Sequence, residues 1–193
     1  MSGYSVVVFV HVVAAIAVVG GSLFGPLLGM SVRRADDVGA LRQVARHQAA
    51  VSTTGGAAAA VVLASGLFLA FRGGWWGSGW LEVSLGLFAL AGVLAMGVVD
   101  PAIKRLLAAL DEAGTGPVTP AVDRLRREPR ATVADGVLLG VDVTIVFLMT
   151  NKPGPVGALA AAAVGLTVGG LVAARERRHD AAALADAEAA PAA

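Results

Sequence analysis

The sequence predicts an all-α, polytopic membrane protein: a bundle of five transmembrane helices with the N-terminus outside and the C-terminus in the cytoplasm. Of the 193 residues, 56% are hydrophobic and 15% are charged, and the mean hydropathy is +0.75, whereas soluble domains carry about 25% charged residues. Long apolar runs separate clusters of charge, and most Lys and Arg residues fall on one side of those runs. This composition excludes a disordered chain and an ordinary soluble enzyme.

The charge balance and the residue inventory exclude further classes. A net charge of +1 produces no global field that would attract nucleic acid. The chain has no cysteine, so disulfides, thiolate metal sites and cysteine nucleophiles are absent.

Five apolar stretches predict the membrane spans. A span needs about 20 apolar residues. The first stretch follows no basic residue and is too long for the apolar core of a signal peptide, so we expect a retained helix. The third stretch is long enough to cross the membrane if Glu82 lies at the interface. The fourth stretch is short and contains Asp142. The predicted spans are about residues 5–30, 48–71, 80–100, 134–151 and 154–174, within a membrane bundle at 1–175 and before a mobile, Ala-rich cytoplasmic tail at 176–193.

The distribution of basic residues predicts the orientation. Thirteen of the fifteen Lys and Arg residues lie after the first, third and fifth spans, and only Arg72 and Lys152 lie on the other side. Cytoplasmic loops carry the excess of Lys and Arg, so the N-terminus is expected outside. A cytoplasmic C-terminus then requires an odd number of spans, which supports the weak fourth one. Trp75, Trp76 and Trp80 lie together in an outer loop, as interface anchors do.

The loop after the third span contains two helix start signals. Asp100-Pro101 reads as an N-cap followed by proline at the first helical position, which predicts a short amphipathic helix from Ala102 to Ala113. Thr119-Pro120 repeats the signal.

Glycines spaced by four residues predict close helix packing. Gly21, Gly25 and Gly29 share one face of the first span, and Gly165 and Gly169 share a face of the fifth. Such faces allow another helix to approach closely. The alternative, a gating hinge, has no independent support.

Few ionisable residues lie within the spans, and each is a candidate for function. Asp135, Asp142 and Met149 are seven residues apart, so they share one face of the fourth span, and Lys152 follows them at the outer interface. Lipid does not solvate an acid, so this face is expected to point into a polar interior formed by Asp142, Asp135 and Lys152, with His11 entering from the first span.

His11 and Met149 lie at similar depth on different helices, and together they form a ligand set for copper or haem iron. The alternative is a histidine bonded to a backbone carbonyl and a methionine that fills a gap in the core. His47 lies at the opposite surface, which argues against a bis-histidine haem.

Asp142 suggests a second chemistry. A buried acid without a partner favours its neutral form, so Asp142 could carry a proton or bind a cation. The alternative is a polar link to Ser, Thr or His on another helix that stabilises the bundle.

Two stretches carry a family resemblance. They are residues 9–29, FVHVVAAIAVVGGSLFGPLLG, and residues 141–154, VDVTIVFLMTNKPG. The chain resembles a family of small bacterial integral membrane proteins of unknown function, with Met149, Lys152 and Pro153 matching its fourth-helix ending. The first helix is more distantly similar to CopD-like and HemJ-like membrane proteins, through His11 and the Gly20-Gly21 pair. That wider resemblance implies copper handling or haem-linked protoporphyrinogen oxidation, although this chain lacks the further His and Met ligands of a copper-handling relative.

Two classes of function remain open. The sequence favours a non-enzymatic carrier, permease component or partner subunit, because no nucleophile–base pair, phosphate-binding loop or metal cluster is present. The alternative is a membrane redox protein that binds haem or copper through His11; the metal and the cofactor themselves are unknown from the sequence. The expected location is the bacterial inner membrane, crossed several times. The expected partners are lipid and either a second copy of the chain or another membrane protein, without nucleic acid.

Overall fold

The computed structural model describes residues 2–189, and its regular structure is helical apart from one isolated β-bridge between Asp37 and Pro117. Seven α-helices follow one another in these residues, and a π-helical turn at Ala95–Val99 joins the third to the fourth. The helices are α1 (Gly3–Arg34), α2 (Val38–Gly73), α3 (Gly79–Leu94), α4 (Asp100–Ala113), α5 (Pro120–Arg126), α6 (Pro129–Asn151) and α7 (Pro155–Ala189).

Five stretches of helix are long and apolar enough to cross a membrane, so the predicted all-α, five-span architecture is confirmed for the described residues. The fourth stretch contains Asp142, yet its mean hydropathy of 1.9 equals that of the second. The five stretches are Gly3–Arg34, Val38–Gly73, Gly79–Ala113, Pro120–Asn151 and Pro155–Arg178.

The bundle has two chemically different ends. At the basic end, the C-terminus of α1 and the N-terminus of α2 meet helices α4 and α5 around an apolar cluster that includes Val38, Leu41 and Leu110. At the tryptophan end, the α2–α3 turn meets the α6–α7 turn, and a Cβ on Gly79 would lie 2.6 Å from the Cα of Pro155. The chain thus joins its helices tightly at both ends.

Helix α3 continues into α4, so the predicted helix start at Asp100-Pro101 is wrong. Val99 and Asp100 both have helical backbone angles, and the Asp100 carboxylate accepts a hydrogen bond from Ser52 instead of capping a helix. Proline lacks an N–H and crowds the carbonyl four residues earlier. The wider π-helical turn before Pro101 accommodates the ring without breaking the helix. At Thr119-Pro120, by contrast, the hydroxyl does cap α5.

The tightest helix packing is between α6 and α7. A Cβ on Gly140 would overlap the carbonyl oxygen of Gly165, and a Cβ on Gly169 would lie 2.5 Å from the carbonyl oxygen of Gly136. Only glycine permits this approach, so the packing predicted for Gly165 and Gly169 is confirmed.

On the predicted packing face of Gly21, Gly25 and Gly29, an added Cβ would contact another helix of the described residues at Gly21 alone. A Cβ on Gly21 would contact Val51 of α2 at 3.6 Å, but one on Gly25 would meet nothing within 4 Å, and one on Gly29 would meet Arg33 of its own helix. Glycine spacing identifies a helix face, and it does not show that another helix lies against that face.

Two predicted features of the chain ends and loops differ in detail. Trp80 is 6% exposed and packs edge-on against Trp75 in an apolar cluster, so the predicted interface anchor is wrong for Trp80, whereas Trp76 is 55% exposed. Helix α7 continues to Ala189, so the predicted tail begins as helix, and residues 190–193 lie outside the described residues.

Candidate functional site: buried polar pairs on α1

His11 is paired with a hydroxyl of α2. Its Nδ1 lies 3.0 Å from Ser65 Oγ, and that hydroxyl lies 2.5 Å from the carbonyl oxygen of Val61. A serine hydroxyl has one proton, which here goes to the carbonyl of Val61. Ser65 Oγ therefore accepts from His11, which places a proton on Nδ1 and leaves the lone pair on Nε2. Gly66 provides the space, because a Cβ there would lie 3.0 Å from His11 Cε1.

Asp142 is paired with a hydroxyl of α1. The side chain is 7% exposed, and its Oδ2 accepts a hydrogen bond from Ser22. In the part of the chain that the structure describes, no ion pair includes Asp142. An intramembrane acid that has a hydroxyl but no basic partner can change its charge without breaking a salt bridge.

Helix α1 carries both polar pairs on one face. His11 and Ser22 are eleven residues apart, which is about three turns and about 16 Å along the axis. The structure thus directs His11 toward α2 and Asp142 toward α1. Thr144 does not link the two pairs, because its hydroxyl bonds the carbonyl of Gly140 at 2.7 Å and faces Gly165 of α7.

The other predicted site residues lie in separate environments. Met149 is half-buried against the apolar cluster that contains Trp80 and Leu148, and the described contacts do not join it to His11. Lys152 is exposed at the tryptophan end, with Nζ 4.3 Å from the centre of a Trp75 ring. Lys152 therefore does not share an interior with Asp142, because a spacing of ten positions separates the two by about 15 Å along the helix axis.

Asp135 lies at the basic end of the bundle. It is half-buried and interacts electrostatically with Arg33 and Glu176, which form an ion pair at 3.7 Å. Seven residues of helix separate it from Asp142 by about 10 Å. Asp135 and Asp142 thus share a helix face but not a site.

A second carboxylate paired with a serine, that of half-buried Asp100, was missed by sequence reasoning. Asp100 accepts a hydrogen bond of 2.5 Å from Ser52 of α2. The contact between Gly21 and Val51 places their neighbours Ser22 and Ser52 at the same level of the α1–α2 interface. Two serine–aspartate pairs therefore occur at one depth. The sequence did contain a signal for this pair, because Asp100 lies at the end of an apolar run. Asp100-Pro101 also matches a helix-start pattern, so Asp100 was interpreted as a cap.

The residues present suit some cofactors better than others. Within the described residues, no group of three or more His, Cys, Asp or Glu side chains could hold a metal ion. His11 alone suits axial ligation, because a metal-bound histidine commonly donates its other ring N–H to a neighbouring acceptor.

The fold and the polar pairs define a polytopic helical membrane protein in which two carboxylates accept hydrogen bonds from serine hydroxyls. Residues 5–153 match the model of the family described as predicted integral membrane protein (DUF2269), and the chain belongs to that family. No curated protein and no solved structure matches the chain.

Proposed function

We propose that this protein is a non-enzymatic, proton-linked membrane carrier in which Asp142 takes up and releases the proton. The observation that supports it is the burial of Asp142 within an apolar helix with Ser22 as its hydrogen-bond partner. Ionisable groups at such positions mark ion pathways and proton relays in pumps and transporters. The Ser22 hydroxyl stabilises the carboxylate after its proton leaves.

Proton movement can be measured before any co-substrate is known. In liposomes that contain the purified protein and a pH-sensitive dye, a potassium diffusion potential should drive proton entry. We expect Asp142→Asn, which keeps an acceptor for Ser22, to slow this entry at least about tenfold, because the amide cannot exchange a proton. Asp36→Asn, an exposed acid at the basic end, is the matched control. Equal rates for the two variants, or a parent rate equal to that of protein-free vesicles, would contradict the proposal.

We also propose that the basic end faces the cytoplasm, as the excess of Lys and Arg there favours. The chain has no cysteine, so single cysteines can be labelled without background. In intact cells, a membrane-impermeant maleimide should label Asn151→Cys at the tryptophan end and leave Thr115→Cys at the basic end unlabelled until the cells are opened. The reverse pattern would invert the topology.

A second candidate is a redox protein that binds haem through His11, as the wider CopD-like and HemJ-like resemblance implies. The observation in its favour is the contact of His11 Nδ1 with the Ser65 hydroxyl, whose own proton is directed at Val61; with the ring proton on Nδ1, the Nε2 lone pair could bind iron. A Soret band in the purified protein that disappears in His11→Ala and persists in His47→Ala would support it. Absence of the band and of any metal by elemental analysis favours the carrier.

A further inference from the structure

A basic cavity opens on the first three turns of α2, at the basic end of the bundle. Its volume is about 350 Å³ and it is lined by Gly39, Arg42, Gln43, Arg46 and His47. The charge-free run of α2 begins at Gln48, the residue after this cavity. The cavity therefore lies at the level where lipid headgroups meet the hydrocarbon region.

The two arginines of the cavity differ in how many of their N–H donors are already bonded. Arg42 is fixed: its Nη2 donates to the carbonyl of Leu110 and, at 2.8 Å, to that of Gly114, while its Nε lies 3.3 Å from Asp111. Arg46 Nη2 is 3.9 Å from the same Asp111 oxygen, and its side chain is 67% exposed. Arg42 thus neutralises Asp111 and closes the wall, whereas most donors of Arg46 remain open to a ligand.

The surface that continues from the cavity suits an acyl chain. Residues 43, 46, 47, 50, 54, 57 and 61 all lie within about 50° of one line along α2, and all of them are exposed. The first three are polar, and the face then carries the small or apolar side chains of Ala50, Thr54, Ala57 and Val61. A charged pocket followed by an exposed face of small and apolar side chains has the same order of parts as a phospholipid.

From this geometry we propose that the cavity binds the headgroup phosphate of an anionic phospholipid, with Arg46 as the main donor and one acyl chain along α2. Arginine recognises phosphate through paired N–H donors. Basic pockets between membrane helices bind anionic headgroups in this way. The site does not involve Asp142 and stands independently of the proposed proton transport.

The test measures how two phospholipids and inorganic phosphate bind to and stabilise the full chain in neutral detergent. Dioleoylphosphatidylglycerol should raise the melting temperature and give lipid adducts in native mass spectrometry, and dioleoylphosphatidylcholine should do so less. Arg46→Gln should weaken phosphatidylglycerol binding about fivefold, the contribution of one basic residue near an anionic surface. Arg130→Gln, the same charge change at an exposed arginine outside the cavity, should bind like the parent.

Three results would overturn the assignment. The first is equal binding by Arg46→Gln and Arg130→Gln, which would reduce the effect to net charge. The second is equal stabilisation of the parent by the two lipids. The third is a stabilisation by inorganic phosphate that matches the lipid effect and is lost in Arg46→Gln, which would make the ligand a free anion. Without lipid, Arg46→Gln should have the same melting temperature as the parent, because Arg46 is exposed and Asp111 still pairs with Arg42.

Discussion

Gly140→Leu should lower the melting temperature of the detergent-solubilised protein by at least about 6–12 °C. A Cβ at this position overlaps the carbonyl oxygen of Gly165, and the helix backbones fix the positions of both atoms, so neither can rotate away. Overpacking of side chains costs about 1–3 kcal/mol, and separating two backbones should reach at least the upper value. In chains of this size, 1 kcal/mol corresponds to about 2–4 °C.

Gly25→Leu is the matched control, because it adds the same side chain to another membrane helix. Nothing lies within 4 Å of a Cβ at Gly25, and leucine favours helix over glycine by about 1 kcal/mol or slightly less. We expect Gly25→Leu to melt within a few degrees of the parent. If the two variants melted together, α6 and α7 would not be packed as the structure shows.

The contrast between these glycines shows where sequence reasoning ends. The helices themselves were predictable, because charge-free apolar runs of sufficient length are determined by local composition. Their neighbours were not predictable, because the spacing of glycines is the same whether a helix faces protein or lipid. The apolar window of α1 is 6% buried, and that of the α6 stretch is 44% buried. Gly140 therefore meets a backbone where Gly25 meets open space.

In the candidate site, too, the sequence could not identify the partners that come from other helices. The heptad of Asp135, Asp142 and Met149 correctly assigned a shared face of α6, but one face spans the full depth of the membrane. The partners Ser22 and Ser65 come from other helices, and a hydroxyl in an apolar run has no local signature. Asp100 was assigned to a cap because the Asp-Pro pattern is usually read locally, whereas its partner Ser52 lies on α2.

Arg126→Met should lower the melting temperature by about 6–12 °C, the second large effect. The Arg126 side chain is 9% exposed, and its Nη1 donates to the carbonyls of Val32 at 3.0 Å and Ala35 at 2.7 Å, at the C-terminal end of α1. Its Nε bonds Asp123 at 2.6 Å. Removing one partner of a fully buried ion pair costs about 3–5 kcal/mol, and this pair is partly buried, with Asp123 23% exposed, so the lower value applies. The positive charge of Arg126 also stabilises the negative end of the α1 dipole. The expected loss is about 3 kcal/mol, converted at about 2–4 °C per kcal/mol.

Two companion variants separate this ion-pair and capping role from a general loss of charge. Arg124→Met removes an exposed arginine of the same helix whose Nε reaches only the carbonyl of Pro120, at 3.3 Å, and should cost less than about 0.5 kcal/mol. In Arg126→Met, Asp123 loses its nearest cation and keeps only Arg127, at 3.2 Å. Adding Asp123→Asn removes that negative charge, so the double variant should recover part of the lost stability. The carbonyls of Val32 and Ala35 stay unpaired, so recovery should be incomplete. Equal melting of Arg126→Met and Arg124→Met would show that α5 does not hold the end of α1 in place.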